Sequence, residues 1–129
     1  MVAGVALAQL LLIAVLDVAA RNLPLNDDWV YAEPARRLAT GHGLHLFPEV
    51  AVPAIPQIAL GSVAWAVNPS PTLLRLETLV FAALAVGLVV VLSRRLGAGL
   101  FSSVVAGAAL AAFPIFAGVS ASFMTEPMY

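Results

Sequence analysis

The chain has 129 residues, of which 62% are hydrophobic and only 10% are charged, and its mean hydropathy is +1.01. Soluble domains average about a quarter charged residues, so this composition excludes a soluble domain and indicates an integral membrane protein or a part of one. The net charge of −1 says nothing about nucleic acid, and no basic stripe supports it, so we expect no nucleic-acid partner. The absence of cysteine excludes disulfide and thiol chemistry. We therefore expect an all-α integral membrane fold.

Four apolar stretches follow one another along the chain, at residues 2–20, 50–67, 73–92 and 100–119. At about 1.5 Å per residue, the first is just long enough to cross a ~30 Å hydrocarbon core. A signal peptide is the alternative for this stretch, but its start carries no Lys or Arg. The second is short and contains two prolines, which favours a surface or re-entrant helix over a full span. The last two have the length of spans.

Membrane orientation depends on the basic residues. Arg94 and Arg95 lie in the short turn between the last two predicted spans, which is typical of a cytoplasmic loop. The loop from Arg21 to Arg75 holds four arginines, however, so the count of positive charges does not decide which side is cytoplasmic.

The position of the acidic residues depends on the second apolar stretch. If residues 50–67 lie at the surface, the chain has three spans, and Asp27, Asp28 and Glu126 end on the same side of the membrane. If that stretch is a full span, the acidic pair and Glu126 fall on opposite sides and cannot share a site. The residues alone leave both layouts open, and the three-span layout, with residues 21–72 forming one loop, is what the family resemblance of residues 27–33 and 74–127 implies.

Short helices are predicted inside this first loop. Asn26 or Asp27 is positioned to cap a helix, because its side chain can accept a bond from a free backbone N–H. Pro34 is expected to break the helix near Glu33, so that a second short helix covers residues 35–40. Two glycines then end this helix, as glycine does where φ turns positive.

Two blocks of the sequence carry a family resemblance. The segment Asp27-Asp28-Trp29-Val30-Tyr31-Ala32-Glu33 resembles the first-loop motif of the GT-C glycosyltransferases, membrane enzymes that take a sugar from a polyprenyl-phosphate lipid. It is similar to the family 39 set, which is related to protein mannosyltransferases and to the aminoarabinose transferases of lipid A. The second block comprises Leu74-Arg75-Leu76 at the start of a span, residues 93–97 at its end, and residues 120–127 after the next.

The resemblance implies the first part of a GT-C fold, with the first loop extracytoplasmic and its second half lying parallel to the membrane. It implies an inverting sugar transfer to an acceptor hydroxyl. Asp27 would act as general base, within ~3 Å of that hydroxyl. Asp28 would raise the pKa of one member of the pair by like-charge repulsion. Glu126, where relatives more often have Asp, would bind or orient the acceptor.

Three further residues are assigned to substrate binding: Tyr31, Gln57 and Arg75. Arg75 could neutralise the lipid phosphate through bidentate bonds, or it could simply snorkel to lipid headgroups. Tyr31 and Trp29 could contact substrate or anchor the chain in the interfacial aromatic belt.

The expected ligands follow from the same resemblance. They are membrane lipid, a polyprenyl-phosphate sugar donor, and an acceptor that is a protein, a lipid or a glycan. No cofactor other than this donor is implied, and a divalent metal requirement stays open. His42 and His45 fall short of the three or four ligands that a zinc site needs.

The chain departs from the family pattern. The family's lysine before the surface helix is missing. Relatives also continue through many more spans, so we expect an N-terminal fragment that is inactive alone.

Two other classes of protein are alternatives to this enzyme. A small non-enzymatic membrane protein, such as an assembly subunit, is the alternative. A transporter is disfavoured, because transporters hold charges near the membrane midplane and this chain holds them at span ends and in loops.

Overall fold

The structure, a computed structural model, describes residues 28–48 and 54–123. In this part of the chain there are five helices and no strand, which agrees with the all-α prediction. The helices are α1 (Asp28–Ala39), α2 (Ile55–Val67), α3 (Pro71–Arg95), α4 (Leu100–Ala112) and α5 (Pro114–Ser120).

The predicted span at residues 2–20 lies outside the described residues, as do Asp27 and Glu126. Asp28 is the first residue of α1, but its side chain is also outside the description. The three proposed catalytic carboxylates are therefore located only through the segments that flank them.

One helix in the described part of the chain is long and apolar enough to cross a membrane. This helix is α3, whose 25 residues extend over about 37 Å. It covers the predicted span at residues 73–92 and ends in a tight turn with Gly97 at φ 90°, as the sequence indicated. The complete three-span layout stays a prediction.

The stretch 100–119 was expected to be one helix, but the structure divides it. Helices α4 and α5 meet at a bend of 66°, so this stretch is either a broken span or a re-entrant segment. Phe113 is extended at the break, with φ −66° and ψ 120°, and Pro114 begins α5. The cause is steric, because the proline ring disfavours helical geometry in the residue before it and removes a backbone donor.

The predicted break at Glu33 is wrong. Helix α1 continues through Pro34 to Ala39, and the separate helix expected at residues 35–40 is its second half. The Pro34 ring is fully buried, and Glu33 pairs with Arg36 across the same turn, so packing and pairing offset the lost backbone bond. The prediction that glycines end this helix is confirmed, since Gly41 and Gly43 have positive φ angles of 77° and 75°.

Helix α2 is too short to be a full span. Its 13 residues extend over about 20 Å, whereas a span needs about 20 residues. The surface placement of the stretch 50–67 stays a prediction. Pro56 lies in the first turn of α2, where its missing N–H costs nothing.

Two packed pairs of helices make up the described fold, α1 with α2 and α3 with α4. Gly107 of α4 lies so close to α3 that an added Cβ would be 2.6 Å from Val90 Cγ2. The two pairs are joined by a buried group that we call the first-loop core. It consists of Tyr31, Ala35, Ala54, Ile58, Leu74 and Phe123.

Candidate functional site

The first-loop core is built where four separate segments meet. Gly61 of α2 leaves room for the ring of Phe123, because an added Cβ would be 2.5 Å from Phe123 Cζ. The same Cβ would be 3.2 Å from Leu74 Cδ2, so the glycine also admits the beginning of α3. A side chain at this position would therefore separate α2 from both neighbours.

The path of the chain brings Phe123, the last residue described, back to the core that contains Tyr31 of α1. Helix α3 leaves the core at Leu74, the chain turns at Gly97, and α4 with α5 returns to the core at Phe123. The residues leading into Phe123 are also buried, with Ala121 at 1% exposure. Tyr31, which comes three residues after Asp28, lies in the same core.

All three residues predicted to bind substrate are buried. Tyr31 is 7% exposed, Gln57 is 2% exposed and Arg75 is 3% exposed. Tyr31 belongs to the first-loop core, and the other two are sequence neighbours of the core residues Ile58 and Leu74. None of the three lacks an interaction partner. With so little exposure, these three side chains present little free surface to a ligand.

Burial separates two alternatives that the sequence left open. A snorkelling arginine extends along the outside of a helix to the headgroups, whereas Arg75 is enclosed by protein. The two aromatic residues differ from each other. Trp29 is half exposed and contacts Phe47 edge to face, with ring centroids 5.3 Å apart, which suits an interfacial anchor. Tyr31 points into the core instead.

Glu33 is engaged in a local ion pair. Arg36 donates from Nε to Oε2 and from a terminal nitrogen to Oε1, both at 2.6 Å. These hydrogen bonds hold the pKa of the Glu33 carboxyl below its usual value. A general base works best with a pKa near the working pH, so Glu33 is a poor proton acceptor. This leaves the adjacent Asp pair as the better candidates.

Sequence reasoning overlooked Glu77, in the second turn of α3. Both of its carboxylate oxygens are buried, and neither accepts a hydrogen bond from the part of the chain that the structure describes. A carboxyl group in the first turns of a membrane-crossing helix is costly and is often functional. The sequence does carry a signal for Glu77, because it is a charged residue that stands in an apolar run with no other charge before Arg94.

The two histidines of the first loop do not converge. His42 Nδ1 lies 2.9 Å from Thr40 Oγ1, and His45 contacts the ring of Phe47. Within residues 28–48 and 54–123, no group of three His, Cys, Asp or Glu side chains is placed to hold a metal ion.

Comparison with known proteins adds no relative. No protein-family model matches the chain, and no curated protein or solved structure shows significant similarity to it.

Proposed function

We propose that the chain is the part of a membrane glycosyltransferase that binds both the acceptor and the sugar donor, a polyprenyl-phosphate sugar. The acceptor would be extracytoplasmic and the transfer inverting. Asp27 would take the acceptor proton, Asp28 would tune the pKa of the pair, and Glu126 would orient the acceptor. Arg75 would supply positive charge toward the donor phosphate.

The observation that supports this proposal is the composition of the first-loop core. It joins the helix that begins at Asp28 to Phe123, which is three residues before Glu126. Because Phe123 and Glu126 are only three residues apart in sequence, the core joins the segment that contains Asp28 to one that adjoins Glu126, and this arrangement supports a site shared by the proposed carboxylates. A two-carboxylate site drawn from two distant segments of sequence needs this kind of junction.

The burial of Arg75 and Gln57 favours a second candidate. Buried polar side chains of this kind also serve to fix how helices pack against one another. A non-enzymatic assembly subunit would need nothing more from them. The two candidates differ in the role expected of Asp27, Asp28 and Glu126, and an activity assay separates them.

The test measures the release of polyprenyl phosphate, a product that is the same whichever acceptor receives the sugar. Membranes containing the full-length protein are incubated with a panel of polyprenyl-phosphate hexoses and pentoses, and released polyprenyl phosphate is measured by mass spectrometry. Release should fall by about 10²-fold or more in Asp27→Asn, as expected for loss of a general base. Glu33→Gln is the matched control, because Glu33 is a neighbouring acid already paired with Arg36.

Equal release by the wild type, Asp27→Asn and membranes without the protein would contradict the enzymatic proposal and favour the assembly subunit. A selective loss in Glu33→Gln would show that the base has been assigned to the wrong carboxylate.

A further inference from the structure

The last two turns of α3 line an open groove at the end of the helix remote from the first-loop core. The groove is an open depression of about 460 Å³ on the surface of α3, which supplies all of its lining residues in the described part of the chain. Its walls in the described chain are almost wholly apolar, and one cation lies at its end. The lining residues are Leu88, Val89, Val91, Leu92 and Arg95.

The two arginines at the end of α3 differ in what they contact. Arg94 donates a hydrogen bond to the carbonyl oxygen of Ala98 at 3.0 Å, and so closes the turn that follows the helix. Arg95 lines the groove, and no residue that the structure describes accepts a hydrogen bond from it or pairs with it. The guanidinium of Arg95 is therefore available to an external anion.

We propose that this groove binds an anionic phospholipid, with an acyl chain along the apolar wall and the headgroup phosphate on Arg95. Charge complementarity identifies the ligand, because an apolar wall ending in a guanidinium matches an amphiphile with a phosphate at its head. A water-soluble phosphate would leave the wall of Leu88 and Leu92 unused. Binding needs only that α3 lies in a membrane, and it is independent of sugar transfer.

The experiment compares two lipids and two arginines. The delipidated full-length protein in neutral detergent is titrated with phosphatidylglycerol and with phosphatidylcholine of identical acyl chains, and bound lipid is counted by native mass spectrometry. The wild type should bind phosphatidylglycerol about tenfold more tightly, as expected for a charge-assisted contact. Arg95→Gln should abolish this preference, and Arg94→Gln should change it by less than about threefold.

Two further variants separate the headgroup from the groove. Arg95→Lys retains the charge and should keep most of the preference for phosphatidylglycerol. Leu92→Trp places a larger side chain in the groove and should weaken the binding of both lipids to the same extent. If Arg94→Gln and Arg95→Gln reduce the preference for phosphatidylglycerol equally, the attraction between the basic turn and the lipid is diffuse and the proposal is overturned. A wild type that binds the two lipids equally would also overturn it. Inorganic phosphate that displaced the lipid at millimolar concentration would show that the groove contributes nothing.

Discussion

Gly61→Ala is the sharpest test of the first-loop core. The added methyl would lie 2.5 Å from Phe123 Cζ and 3.2 Å from Leu74 Cδ2. The Phe123 ring is 1% exposed and rigid, so it cannot move aside without disturbing the core. Overpacking of this kind costs about 1–3 kcal/mol, whereas alanine gains up to about 1 kcal/mol over glycine in a helix. We expect a net loss of about 1 kcal/mol in the free energy of unfolding.

Gly118→Ala is the matched control. It lies in α5, and an added Cβ there would meet no atom of the described residues within 4 Å. This variant gains the same helix propensity without a clash, so the difference between the two variants isolates the clash. That difference should be about 1–3 kcal/mol. The assay is the loss of helical circular dichroism as the detergent-solubilised protein is titrated with sodium dodecyl sulfate.

A double variant identifies the neighbour responsible. Phe123→Leu removes the atom nearest to the added methyl, so Gly61→Ala should cost at least about 1 kcal/mol less in that background. If Gly61→Ala and Gly118→Ala change stability equally, Phe123 does not pack on α2. The return of the chain to the first-loop core, and with it the support for a shared site, would then be refuted.

Three other variants probe single contacts, each measured by the same titration. Gly107→Ala would place a methyl 2.6 Å from Val90 Cγ2 and should cost about 1 kcal/mol net, most of which Val90→Ala in the same chain should restore. Ser70→Ala removes the side-chain oxygen that caps α3 and should cost about 0.5–2 kcal/mol, whereas Ser70→Asp should not. The folded-state pKa of Glu33 is lowered by Arg36, so the pair contributes above the unfolded pKa of about 4.5 and is lost as the pH falls below it. Since both side chains are partly exposed, Glu33→Gln should lower stability by under about 1 kcal/mol at pH 7, and by less as the pH falls through the lowered folded-state pKa.

The two prolines show why helix boundaries were only partly predictable from the sequence. Pro34 was expected to end a helix and does not, whereas Pro114 was expected to lie inside a helix and instead begins a new one. Pro34 is fully buried beside an ion-paired turn, so tertiary contacts hold α1 together. Phe113 and Pro114 are both exposed, and nothing compensates for the lost bond. A local rule about proline cannot anticipate burial.

Where the signal was strong and local, the prediction succeeded. The long apolar run of α3, the glycines after α1 and the turn at Gly97 were all readable, because each depends on backbone preference or on continuous hydrophobicity. The burial of Gln57 and Arg75 was not readable, since it depends on which helices pack against them. The contact of Phe123 with Gly61 joins positions 62 residues apart, and no local pattern encodes it.

The two ends of α3 use charge in opposite ways. At its last turn, Arg94 and Arg95 are exposed, as expected of charges at the edge of a membrane. At its first turns, Arg75 is enclosed and both carboxylate oxygens of Glu77 are buried. A helix that merely anchors a protein gains nothing from taking charges out of solvent, because each costs several kcal/mol to enclose. The enclosed charges therefore require a compensating gain, which is the reason to look for a role of Arg75 and Glu77 near the first-loop core.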